Sequence, residues 1–259
     1  MSVRLFCFTA AAALLASIGT ASAKDLVRLT DGQLDKITAG AANVQLPFNT
    51  AVFAAGGNGR NGVNRLAPSA EGIQPVQSVL EIRHDRVMIQ KWDLSCGAAA
   101  LGTLLRYQFG EPVSEEEIAR TMMSRAEYVG HPELVQLHEG FSFLDLKRYV
   151  QNYRTAGRYK GEGLGQLDLN DLIERAPLMV AVNALGYNHF VVFRGVMGDR
   201  VLVADPAWGD RTMTIDKFQR MWLDYGEPMG HVGFVVTRTD RRKPPNRLEP
   251  RPSEFVMLQ

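Results

Sequence analysis

The sequence is poor in cysteine, in charge excess and in long apolar runs, and each shortage closes off a class of protein. Only two cysteines, Cys7 and Cys96, occur in 259 residues, too few for a disulfide scaffold. Lys plus Arg number 29 and Asp plus Glu 28. Without a basic excess there is little to neutralise a phosphate backbone, so no nucleic-acid partner is expected. The longest charge-free apolar stretch, Leu5 to Ile18, is too short for a membrane span. Hydrophobic residues make up 46% and charged residues 22%. These are ordinary values that exclude pervasive disorder and suit one or two globular domains.

What is present begins with a targeting segment. Arg4 supplies a positive start, the apolar stretch follows, and Ala21-Ser22-Ala23 has the small-x-small form of a signal-peptidase site before Lys24-Asp25. Residues 1–23 therefore read as a secretory signal, which places the mature chain in the periplasm or outside the cell. Cleavage near Ala23 removes Arg4 and Cys7. The mature chain then has balanced charge, no transmembrane segment and one cysteine, Cys96. A lone cysteine in an oxidising compartment is either a reactive thiol or a buried inert one.

Three further regions are expected. Residues 24–75 comprise a short segment with a Thr30-x-x-Gln33 capping box and then a flexible linker around Gly56-Gly57-Asn58-Gly59. Residues 76–238 read as the folded domain, and residues 239–259, basic and proline-rich, as a disordered tail. Within the domain, 76–90 reads as strand material. Cys96 to Gln108, a stretch opened by Ser114, Phe141 to Tyr153 and Asp168 to Arg175 read as helices. Val-, Phe- and Ile-rich strands follow at 178–185, 189–196, 201–204, 211–215 and 232–237. Gly186-Tyr187-Asn188, Met197-Gly198-Asp199 and Trp208-Gly209-Asp210 punctuate them. Helices first and strands after predict an α+β fold, N-terminal helices packed on a C-terminal antiparallel β-sheet.

The candidate chemistry gathers on four residues. Cys96 stands at the first turn of a predicted helix, where unpaired N–H groups and the helix dipole favour a thiolate. Ser95 is placed to cap that helix, and Gly97 with three alanines to keep the wall beside the sulfur thin. A thiol nucleophile needs a base, and the base an acceptor that orients it. Of five histidines, His189 opens an apolar strand. If that strand forms a hairpin with 201–205, Asp205 falls beside it. Gln90, just before the nucleophile helix, is a candidate oxyanion donor together with the Cys96 N–H. The plain alternatives are a satisfied structural histidine, a turn aspartate before Pro206 and an exposed strand-end glutamine. His and Cys residues show no metal-ligand spacing, so neither metal nor cofactor is implied.

Gln90 to Gly97, His189 followed by Val191-Val192, and Asp205-Pro206 resemble the bacteriocin-processing, double-glycine cysteine peptidases. These papain-like domains are best known at the N-termini of peptide-exporting transporters. The resemblance covers roughly residues 76–238. It implies Cys96 as nucleophile, His189 as base, Asp205 as orienting carboxylate and Gln90 as oxyanion donor. The substrate it implies is a peptide or protein cut after small residues. Transporter segments are lacking and a secretory signal is present, as in stand-alone relatives encoded beside functional-amyloid secretion genes; a secretion-system partner fits that setting. Targets of the family carry leaders of the type Leu-Ser-x-x-Glu-Leu-x-x-Ile-x-Gly-Gly. Here Leu29-Thr30-x-x-Gln33-Leu34-x-x-Ile37-x-Ala39-Gly40 is similar in register. Residues 24–40 are thus expected either to occupy the cleft as an inhibitor or to be cut after Gly40. The plain alternative is a capped helix packed on the domain. A silent binding or chaperone module for leader-like segments, and another cysteine hydrolase such as a cell-wall amidase, remain open as rival functions.

Overall fold

The structure is a computed structural model and describes residues 26–39, 78–153, 157–240 and 242–255. The secretory signal and the glycine-rich linker lie outside the described residues. In chain order the elements are β1 (Val27–Arg28), α1 (Asp31–Asp35), β2 (Thr38–Ala39), α2 (Val79–His84) and α3 (Cys96–Thr103), which runs on as a π-helical turn, Leu104–Gln108. Then come α4 (Glu115–Met123), α5 (Ala126–Gly130), α6 (Glu133–Leu137), β3 (Phe141–Ser142), α7 (Phe143–Asn152), β4 (Tyr159–Gly165) and α8 (Leu169–Arg175). The last are β5 (Leu178–Ala184), β6 (Tyr187–Met197), β7 (Arg200–Asp205), β8 (Gly209–Thr214), α9 (Ile215–Met221) and β9 (Gly233–Arg238). Among the described residues no helix is long and apolar enough to cross a membrane.

Seven strands form one antiparallel sheet in the order β1-β4-β9-β5-β6-β7-β8. Its central strands are apolar almost throughout because both faces are covered. Met179, Ala181, Phe190, Val192 and Phe234 face the core shared with α3 and α7. Val180, Val182, Val191, Phe193 and Val203 face a second core with Leu172 of α8, Phe218 of α9 and Trp222. Alternate residues of one strand thus point to opposite cores, as the two-residue repeat of a strand requires. Helix α3 is buried on every side, which its alanine-rich sequence permits. A Cβ at Gly97 would sit 3.2 Å from the Phe190 ring. Gly97 therefore brings the helix close to the sheet, and not a substrate backbone close to the sulfur.

Helices at 96–108, 143–152 and 169–175, and the antiparallel sheet after them, stand where the sequence places them. Several local expectations need correction. Within the stretch 76–90 the described residues, 78–90, form no strand: α2 occupies Val79–His84, started by a reciprocal capping box between Ser78 and Glu81. Ser95 makes no side-chain cap; its hydroxyl donates to Trp92 O at 2.7 Å and to the buried Glu115 carboxylate. Tyr187 and Asn188 already belong to β6, and Gly209 and Asp210 to β8, so the turns there are shorter than composition suggests.

The folded unit also extends past 76–238 at both ends. On the N-terminal side, β1 is an edge strand of the main sheet. On the C-terminal side, the segment expected to be disordered is held down. Leu248 is fully buried. The Arg194 side chain, buried in β6, donates to Leu248 O at 3.0 Å and pairs with Asp210 at 2.7 Å and Glu254 at 2.9 Å. Arg86 also pairs with Glu254 and donates to Arg247 O. A guanidinium inside a sheet core needs carboxylates around it, and the tail supplies one. Glu254→Gln breaks this buried network. It should lower stability by about 3 kcal/mol, roughly 6–10 °C in Tm, without moving the residues of the opposite core. Thermal unfolding of the two proteins checks this.

Candidate active site

The sulfur of Cys96 lies at the N-terminal end of α3 and is fully buried. The first-turn N–H groups of a helix have no partner inside it, so this end presents donors and a positive dipole. Phe190, next to His189, packs against Gly97 and stacks on Phe143 at 4.6 Å, which fixes β6 relative to the helix. His189 is 1% exposed and pairs with Val182 across the β5–β6 ladder.

The β6–β7 hairpin matches Val192 with Ala204 and brings Asp205 diagonal to His189. Asp205 Oδ1 lies 2.8 Å from His189 Nε2. The same oxygen accepts from Ala207 N at 2.9 Å, and Oδ2 accepts from Arg211 at 2.8 Å. With Nε2 on the carboxylate, Nδ1 is the ring nitrogen left for another partner, and the Cys96 side chain lies near enough to the ring to act on its charge. Burial by itself would push the imidazolium down. The Asp205 charge and hydrogen bond, and the Cys96 contact, outweigh it and raise His189 well above its ordinary value. Burial would likewise push the Asp205 carboxyl up, yet His189 and Arg211 hold it below the usual carboxylate range. Cys96, His189 and Asp205 are thus all buried in one region, with His189 and Asp205 directly bonded.

Gln90 lies at the mouth of the same site. Its backbone N–H donates to Pro206 O at 2.9 Å and so ties the stretch before α3 to the Asp205 loop. Its side-chain nitrogen donates to Trp92 O at 3.0 Å and reaches Asp93 O only at 3.5 Å. An amide nitrogen carries two donors, and only one is well committed here. The other histidines stand elsewhere: His131 pairs with Glu133 at 2.9 Å, and His231 stacks on Trp222 at 4.4 Å.

Sequence reasoning missed three contributors. Arg211 on β8 holds the far oxygen of Asp205; the visible signal was a basic residue six positions after Asp205, across a tight turn. Tyr187 sits edge-on to His189 at 6.0 Å, and burial first, then the Asp205 and Cys96 charges, raise its phenol. Glu115 accepts from Lys91 N at 2.8 Å and from Ser95, which anchors the loop that delivers Cys96. Among the described residues no group of three or more His, Cys, Asp or Glu side chains is placed to hold a metal ion.

The model of the Peptidase C39 family matches residues 85–226, a span that includes Gln90, Cys96, His189 and Asp205. Over 183 residues the chain is 37% identical to the probable functional amyloid protease FapD of Pseudomonas aeruginosa, which covers 65% of this chain and 77% of that protein. Over 164 residues it is 34% identical to the protein of the same name from Pseudomonas fluorescens, covering 63% of this chain and 69% of that one. Among solved structures, a double-glycine-motif protease from an AMS/PCAT transporter, in complex with its leader peptide, is 22% identical with a TM-score of 0.44. It covers 59% of this chain and 91% of that one. The peptidase domain of Streptococcus ComA, a bifunctional ABC transporter of a quorum-sensing pathway, is 16% identical with a TM-score of 0.45. The cover is 60% of this chain and 99% of that one.

Proposed function

We propose, from the premise that the chain belongs to the Peptidase C39 family and is a cysteine peptidase, that it is a periplasmic endopeptidase that cuts after small residues, with Cys96 as nucleophile and His189 as base. The observation that carries this is the buried His189, joined to Asp205 on one nitrogen at 2.8 Å, with the buried Cys96 side chain near its ring.

The chemistry follows from the geometry. His189 takes the thiol proton, and the sulfur attacks the carbonyl carbon of the scissile bond. The oxyanion meets the Cys96 N–H and the second amide hydrogen of Gln90. The imidazolium returns its proton to the leaving amine as the C–N bond breaks, leaving a thioester on Cys96. Water, deprotonated by His189, attacks the thioester; a carboxylate leaves and the thiol is restored. Asp205 keeps the ring in one orientation throughout and stabilises its charged form.

The secretory signal read at residues 1–23 supports the periplasmic setting. The likeness to the probable functional amyloid proteases of Pseudomonas supports a substrate within a functional-amyloid secretion system: a leader or an accessory protein. The test is to incubate wild type and Cys96→Ala with the exported proteome and map new amino termini. New termini preceded by Gly-Gly or Ala-Gly, present with wild type only, are expected. Termini without small residues before them would overturn the specificity.

A further inference from the structure

The cleft above Cys96 is occupied by the chain's own residues. The Cys96 thiol donates to the carbonyl oxygen of Ala39 at 3.4 Å. That carbonyl belongs to β2, which pairs antiparallel with β3, Thr38 facing Ser142 and Ala39 facing Phe141. The Phe143 N–H donates to Ile37 O at 3.0 Å and the Leu29 N–H to Gly163 O at 2.9 Å. Strand β2 also lies against β6, the strand of His189. An extended backbone laid beside the nucleophile and held by main-chain bonds is how a peptide substrate would lie.

The side chains fit as closely. Leu34, Ile37 and Ala39 are fully buried and Leu29 is 6% exposed, all in the core that contains Cys96. Two glycines make room for them. At Gly163 a Cβ would stand 2.1 Å from the Leu34 side chain. At Gly140, whose φ is +118°, a Cβ would stand 2.1 Å from Ala39 O. Polar contacts fix the rim: Asp31 with Lys147 at 2.6 Å, and Asp35 accepting from the Ser142 hydroxyl at 3.3 Å. Thr30 and Gln33 close the capping box that starts α1. A capped helix that merely packed on the domain would not need an extended strand after it with its Ala39 carbonyl on the sulfur.

We propose that residues 27–39 are a tethered, substrate-like occupant of the chain's own active-site cleft, and that they keep Cys96 from incoming peptides until displaced. The inference rests on the proposed reading of Cys96 as the peptidase nucleophile. Residues 40–77 connect the segment to the domain and lie outside the described residues, as does the bond after Gly40 at which self-cleavage was expected. Because the segment is covalently linked to the domain it competes as an intramolecular ligand, and an incoming peptide must overcome the ratio of its effective concentration to the segment's own dissociation constant.

Two readouts keep the inference and the peptidase reading apart. Iodoacetamide modification of Cys96, followed by mass spectrometry, reports access to the sulfur whether or not the protein is an enzyme. Hydrolysis of a peptide ending its leader in Gly-Gly reports catalysis. In Leu34→Glu/Ile37→Glu, modification should speed up by about 10-fold or more, because two buried apolar anchors are lost. A second form guards against misfolding: a specific protease site placed between residues 41 and 75 is cut, and the protein is diluted. Modification should again accelerate, and a synthetic peptide of residues 26–40 should slow it. A wild-type chain that begins at Ala41, while Cys96→Ala keeps its earlier start, shows the segment entering the cleft as a substrate and also supports the proposal. Equal modification rates in wild type, the double variant and the cut protein would overturn it, even if all three hydrolyse the peptide. Faster modification with no hydrolysis in any form leaves the occupancy standing and sinks the peptidase reading.

Discussion

Cys96→Ala should remove peptide hydrolysis, with a fall in kcat/KM of at least about 10⁴-fold, equivalent to about 5.5 kcal/mol of transition-state stabilisation. Among the described residues no other thiol can take over the attack: Cys96 is the free cysteine, it is fully buried, and His189 is buried near it. The substitution takes one sulfur from a well-packed helix and leaves a small void. Its thermodynamic cost should therefore be on the order of 1 kcal/mol. Loss of activity with a nearly unchanged Tm separates a chemical role from a structural one. Cys96→Ser tests the same point from the other side. It keeps the volume and hydrogen bonding but supplies a far poorer nucleophile, and should be nearly as inactive. Steady-state hydrolysis of a leader-type peptide, with thermal unfolding in parallel, measures both.

Asp205→Asn should cost about 10²- to 10⁴-fold in kcat/KM and change the pH dependence as well. The carboxylate meets donors on both oxygens: His189 and Ala207 on one, Arg211 on the other. An amide must turn one NH₂ toward a donor, so either His189 or Arg211 loses its acceptor. Without the Asp205 charge, burial becomes the dominant influence on His189, and its raised value falls. The limb of the rate profile that reports His189 should therefore move to lower pH. The stability profile follows with its own signs. In wild type the raised His189 contributes fully below its unfolded value near 6.5, and that contribution is lost as pH climbs toward the raised folded value. The depressed Asp205 contributes above its unfolded value near 3.8 and is lost as pH falls below it. Both are whole between about pH 4 and 6.5, and Asn at 205 should flatten both slopes. Breaking a buried pair also costs about 3–5 kcal/mol. Rate and stability profiles from pH 3 to 10 test this; an unshifted rate profile would relegate Asp205 to structure alone.

Arg211 acts one step further out, through Asp205. Its side chain is 29% exposed, so solvent screens it, and its loss should weigh less than that of Asp205. Together with the Gln90–Pro206 backbone bond, it turns the β7–β8 hairpin into a clamp on the acid-base pair.

Local order in the chain made the nucleophile helix legible. The Cys-Gly-Ala-Ala-Ala run, the capping box at Thr30, and the Val-, Phe- and Ile-rich strands from 178 onward all carry their signals within a few residues. His189 and Asp205 were readable because a short hairpin joins them. The errors have physical sources too. Residues 79–84 carry β-branched and aliphatic side chains, yet the Ser78–Glu81 capping box decides for a helix. Strand β4 went unseen because Gly161, Gly163 and Gly165 leave it few apolar side chains. Those glycines are there for Leu29, Leu34 and Phe234, which come from distant parts of the chain. The C-terminal segment has the composition of a disordered tail, but Arg194 inside the sheet core needs a second carboxylate, and Glu254 provides it.

Taken alone, the order of residues determined the fold class, the helix that begins at Cys96, and the hairpin that sets Asp205 beside His189. These depend on propensities, caps and alternation that act over one turn or one hairpin. Only the folded chain decided what lies on the sulfur. A carbonyl from residue 39 meets a thiol at residue 96 because Leu34 and Ala39 find room beside glycines far along the sequence. The leader-like pattern suggests the segment, but it cannot seat it, since the free energy that does so comes from surfaces that become neighbours after the sheet has formed.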